Sequence, residues 1–70
     1  MDPMDIIKRN FTYHRPTETQ EEIYGNIRAL ARNYAEAIET WCPNSREKSL
    51  AMTHLEETVM WANAAIARNS

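Results

Sequence analysis

The sequence predicts an all-α fold: an antiparallel two-helix hairpin with a short N-terminal helix, assembling into a homo-oligomer. Three observations predict it. Apolar residues recur at helical spacing in two long segments separated by Cys42-Pro43-Asn44-Ser45. Helix caps precede each segment. The run Val59 to Ala67 carries one polar side chain, Asn63, so a hairpin can cover one stripe of it and other copies of the chain must cover the rest.

Each element has a local cause. Pro3 suits the first position of a helix over 2–9 with Asp2 as its cap, and Lys8 and Arg9 favour its negative end. A helix this short needs a surface to dock on, and Met4, Ile6 and Ile7 supply the contact face. Residues 10–17 read as an extended linker, because Pro16 biases Arg15 away from helical geometry. Thr17 with Gln20 forms a capping box for a helix over 18–41, and Glu18, Glu21 and Glu22 favour its positive end.

In that helix Ile23, Ile27, Leu30, Tyr34, Ile38 and Trp41 step by four, three, four, four and three, the spacing of one apolar stripe. Gly25 costs about 1 kcal/mol relative to alanine, which leaves either a close approach of another backbone or ligand or a tolerated glycine. Pro43 cannot extend the helix, and Asn44 with Glu47 predicts a second capping box. The third helix covers 45–68, with Ala51, Leu55, Val59, Ala62 and Ile66 facing the second. Leu50, Met52, Met60, Trp61 and Ala65 point elsewhere. The 70 residues make one helical-hairpin domain, in the size range where one core is marginal and assembly adds stability.

Composition excludes several classes. The net charge of −2 argues against a broad grip on DNA or RNA polymers. No run approaches the roughly 18 apolar residues of a membrane span, and the opening Met1-Asp2-Pro3-Met4-Asp5 lacks the cations of a signal peptide. The single cysteine, Cys42, cannot form an internal disulfide. The expectation is a soluble cytoplasmic protein.

Catalysis has little support, since there is no Gly-rich phosphate loop and the acids are spread as solvated charges. His14, His54 and Cys42 lack the close pair that seeds a zinc site, so neither metal nor cofactor is implied. His54 reads as a hydrogen-bonded packing residue and Cys42 as a buried thiol at a helix end. Asn63 reads as a hydrogen-bonding residue that fixes register across an interface, and Trp61 as interface core.

Two places suit anions. Asn44-Ser45-Arg46-Glu47-Lys48-Ser49 puts free backbone donors, hydroxyls and two cations at a positive helix end, which suits a phosphate or serves as ordinary capping. Phe11, Tyr13, His14 and Arg15 can stack a base and pair a phosphate, or simply anchor the arm. Arg28 and Arg32 lie one turn apart and add two guanidinium groups, or pair with Glu36 and Glu39.

The string Ser45-Arg46-Glu47-Lys48-Ser49-Leu50-Ala51-Met52-Thr53-His54-Leu55-Glu56-Glu57, continuing from Val59 to Asn69, resembles the helical hairpin of phage anti-defence sponge proteins. Asn10 to His14 and Ile27-Arg28 are also similar to it. This domain is shared by phage proteins that counter CBASS immunity and one class that counter Thoeris immunity, and the resemblance covers nearly the whole chain. It implies a compact hexamer that sequesters cyclic oligonucleotide or cyclic ADP-ribose-type signals without cleaving them. By the same resemblance, Arg46, Ser49 and Thr53 line a cyclic-trinucleotide site. Phe11, Tyr13, His14, Arg28 and Arg32 line a separate site for a cyclic dinucleotide or cyclic ADP-ribose-type ligand. The alternative is a purely structural or protein-binding helical module.

Overall fold

The computed structural model describes residues 2–69. Three α-helices follow in order: α1 (Pro3–Asn10), α2 (Glu18–Trp41) and α3 (Arg46–Asn69). The boundaries differ from the sequence expectation by one residue at each end of α1 and α3. The Asp2 carboxylate accepts from the Met4 N–H at 3.0 Å and caps α1. At α2 the capping box is complete: the Gln20 N–H donates to Thr17 Oγ1 at 3.1 Å and the Thr17 N–H to Gln20 Oε1 at 3.0 Å.

The cap of α3 is Ser45 and not Asn44. The Ser45 hydroxyl accepts from the Lys48 N–H at 3.1 Å, and the Ser45 carbonyl accepts from the Ser49 N–H at 3.2 Å. A side-chain oxygen reaches the third helical amide only from the residue that immediately precedes the helix, and Asn44 stands one residue too early. Its Oδ1 instead accepts from Lys48 Nζ at 3.1 Å. The same ammonium donates to the Glu39 carbonyl at 3.3 Å and lies 3.0 Å from the Glu39 carboxylate, with its side chain only 10% exposed. Lys48 thus fastens the end of α2, the turn and the start of α3 together.

The two long helices pack antiparallel, with Lys48 against Glu39 at the turn and Gln20 Nε2 donating to the Ile66 carbonyl at the far end. Their seam is made by Tyr24, Ile27, Ala31, Ala35 and Ile38 from α2 and by Met52, Leu55, Val59, Ala62 and Ile66 from α3, all at least half-buried. On α2 this differs from the expected stripe. Ile27 and Ile38 lie in the seam, whereas Leu30, Tyr34 and Trp41 are 70%, 64% and 81% exposed and Ile23 stands at its margin. The apolar arc of α2 is wider than one stripe, and its alanines, which let two helix axes approach most closely, take the seam. On α3, Leu55, Val59, Ala62 and Ile66 pack as expected, but Met52 replaces Ala51, which is exposed.

Ile38, at 8% exposure, is the one buried residue among those described. The chain exposes 5977 Å², where a compact protein of its 8.2 kDa exposes roughly 4,500 Å². Its radius of gyration is 15.4 Å, against about 11 Å for a compact domain of this length. The molecule is a bar of 46 × 27 × 15 Å, set by the length of its helices. No helix among the described residues is long and apolar enough to cross a membrane.

Ser45→Ala should cost about 1 kcal/mol and lower the melting temperature by roughly 4–8 °C. Asn44→Ala should lower it less, as read by circular dichroism. A larger loss from Asn44→Ala than from Ser45→Ala would return the cap to Asn44.

Candidate functional site

Helix geometry divides the hairpin into two unlike sides. On one, α3 presents Arg46, Ser49, Thr53, Glu56 and Met60 at steps of three and four residues, which places them along one line. Glu56 and Met60 share a recess of about 490 Å³ with Arg28, Ala31, Arg32, Ala35, Leu55 and Val59. Arg46, Ser49 and Thr53 therefore continue, toward the turn, the side of the hairpin that carries Arg28 and Arg32. Glu56 and Met60 were not singled out from sequence, although their spacing from Arg46, Ser49 and Thr53 carries the signal.

The opposite side is apolar. There Ile27, Leu30, Ala31 and Tyr34 from α2 and Leu55, Thr58, Val59 and Ala62 from α3 line a furrow of about 250 Å³. Met60 and Trp61 extend the exposed apolar surface around α3, at 67% and 66% exposure.

The cations differ in how firmly they are held. Lys48, one of the two cations at the start of α3 that suit either an anion or ordinary capping, is committed to Glu39 and Asn44. Ser49 lines a shallow recess with Lys48, Glu39, Asn44, Ser45 and Met52, while Arg46 is exposed and has no ion-pair partner among the described residues. Arg32 pairs with Glu36 at 3.2 Å, with the two side chains 80% and 64% exposed. Such a pair is worth less than about 1 kcal/mol and yields readily to an anion. Arg28 makes no ion pair among the described residues.

A Cβ at Gly25 would meet nothing nearer than Arg28 Nη2 at 3.9 Å. No backbone of this chain approaches Gly25 closely, and within one chain it is a tolerated glycine. It lines a recess with Arg28, Ala29, Arg32, Asn33 and Glu36.

The linker residues sit apart from these arginines. Phe11 and Tyr13 are 85% and 83% exposed, and neither anchors the arm to the hairpin. His14 folds back on α1, where its Nε2 lies 2.6 Å from the Arg9 carbonyl, and it lines a recess with Asp5, Lys8, Arg9 and Thr12. In one chain, then, the five residues of the second proposed site occupy separate places, with His14 at α1 and Arg28 and Arg32 at mid-hairpin. Met4, Ile6 and Ile7 of α1 are exposed as well.

Two further sequence readings change. Cys42 is exposed, because the C-cap of α2 lies at the tip where no core covers it. His54 is also exposed rather than packed, with Nδ1 3.7 Å from Glu57 Oε2. Asn63 Oδ1 is enclosed and has no hydrogen-bond partner among the described residues. No group of three or more His, Cys, Asp or Glu side chains suited to a metal ion occurs among the described residues.

Comparison with known proteins fits these features into a family. The family model described as the Acb2/Tad1 hairpin domain matches residues 4–67. No curated protein and no solved structure shows a significant match. The match takes in all of α1 but its first residue, the linker, the whole of α2 and nearly all of α3, so the chain belongs to the Acb2/Tad1 hairpin-domain family of anti-CBASS and anti-Thoeris sponges.

Proposed function

We propose that this chain is a phage anti-defence sponge that works in the bacterial host cytoplasm as a homo-oligomer, six copies in the reading its family suggests. It binds cyclic di- and trinucleotide or cyclic ADP-ribose-type immune signals and withholds them from their effectors without cleaving them. The observation that carries this reading is the exposed Arg46 without an ionic partner at the capped start of α3, in line with Ser49 and Thr53, in a chain of this family.

The chemistry follows from symmetry. Cyclic trinucleotides carry three phosphodiesters, and a three-fold axis beside the start of α3 presents three copies of Arg46, each with the donors of Ser49 and Thr53. A cyclic dinucleotide matches a two-fold axis. There Phe11 and Tyr13 stack bases, while Arg28 and Arg32 meet the phosphates. In one chain Arg46, Ser49 and Thr53 are all exposed, so enclosure of a ligand needs neighbouring copies. The apolar side, with Leu30 and Tyr34 exposed, supplies the surface that brings copies together.

Calorimetry with a panel of cyclic di- and trinucleotides and cyclic ADP-ribose isomers tests the reading. At least one compound should bind. Arg46→Ala should weaken a bound trinucleotide by more than about a hundredfold, since each ligand loses three charged hydrogen-bond donors at once, with the oligomer unchanged in size. Binding by none of the panel would leave the competing reading, a purely structural oligomerisation module.

Ligand recovered after denaturing the complex should be chemically intact by mass spectrometry. A linearised or hydrolysed product would make the protein an enzyme and retire sequestration as its mechanism.

A further inference from the structure

The end of α1 poses a problem that the next residues solve without glycine. A helix leaves its last carbonyls without intrahelical donors, and the common remedy is a residue of positive φ. Among the described residues no positive φ occurs. Instead, three successive carbonyls of α1 are taken in turn by three groups from the following chain. The Phe11 N–H donates to the Ile7 carbonyl at 3.0 Å. The Thr12 hydroxyl donates to the Lys8 carbonyl. His14 Nε2 meets the Arg9 carbonyl at 2.6 Å, and since a carbonyl only accepts, Nε2 is the donor in this bond.

With Thr12 and His14 bonded back onto α1, the Phe11 and Tyr13 side chains beside them stand more than four-fifths exposed. Arg9 then ties α1 to the hairpin, with Nη1 donating to Asn69 Oδ1 at 3.3 Å. A continuous set of bonds runs from α3 through α1 to the aromatic pair.

We infer that Thr12 and His14 are positioning residues: they hold Phe11 and Tyr13 as a preformed stacking arm, and His14 serves the base-stacking site through this clasp and not as a phosphate ligand. The inference rests on the sponge reading for the ligand, but the clasp itself is independent of it. Without the clasp, the arm must be ordered on binding, at a cost of about one residue's conformational entropy or more, which corresponds to roughly tenfold in affinity.

The test uses the full chain, with ¹⁵N relaxation for the arm and calorimetry with cyclic di-AMP and cyclic di-GMP as probes. In the parent, Phe11 and Tyr13 amides should show order parameters near the rigid range, about 0.85, and His14→Ala should bring them below about 0.6. His14→Gln, whose amide nitrogen can replace Nε2 as donor, should restore order, and Thr12→Val should lower it in part. Whichever probe the parent binds should bind about tenfold more weakly to His14→Ala and recover in His14→Gln. Unchanged arm order in His14→Ala would overturn the clasp. Restored order without restored binding in His14→Gln would return His14 to direct contact with the ligand. If the parent binds neither probe, the ligand reading fails for these dinucleotides, while the relaxation data still decide the clasp.

Discussion

The controlling constraint is geometric: two helices touch along one seam, and α2 and α3 each carry more apolar surface than one seam can cover. Ala31 and Ala35 bring the helix axes together, and the same close fit leaves Leu30, Tyr34 and Trp41 beside the contact instead of within it. Ile38, the one buried residue among those described, is too small a core to offset the conformational entropy of ordering the chain. Burying Leu30, Tyr34, Met60 and Trp61 against other copies would add about 1.5–3 kcal/mol for each large side chain fully covered. That is the scale on which a domain of this size is stable or not.

The same constraint organises the charges. Because the apolar residues of α2 lie to one side of the seam, Arg28 and Arg32 fall to the other, where Glu56 and Met60 of α3 meet them. Helical spacing carries that side down α3 to Thr53, Ser49 and Arg46. Lys48 takes a structural task at the turn and thereby leaves Arg46 as the exposed cation of the helix start. In sequence the two look alike, separated by one residue; the packing assigns them opposite duties.

Much of the fold was legible in the sequence because its signals are local. Pro3, the Thr17–Gln20 pair, Pro43 and the apolar periodicities located all three helices to within a residue. Less legible was which of two adjacent stripes on α2 would meet α3, since periodicity marks the apolar arc but not the residues in it that permit the closest approach. The cap of α3 was displaced by one position because Asn44 and Ser45 are both good cap formers, and only the first helical turn distinguishes them. For the candidate site, Arg46, Ser49 and Thr53 were singled out through the resemblance to the sponge family, and their steps of three and four residues place them along one line of α3. The fold-back of His14 was not legible, because it depends on α1 offering a free carbonyl within reach of the ring.

A chain built this way should exist as an assembly or not be stably folded. Sedimentation equilibrium, with thermal unfolding followed over a dilution series, tests that most directly. The account predicts a species whose mass is an integer multiple of the single chain's 8.2 kDa, with a melting temperature that falls on dilution. A well-folded species of single-chain mass, melting cooperatively at a temperature independent of concentration, would contradict it.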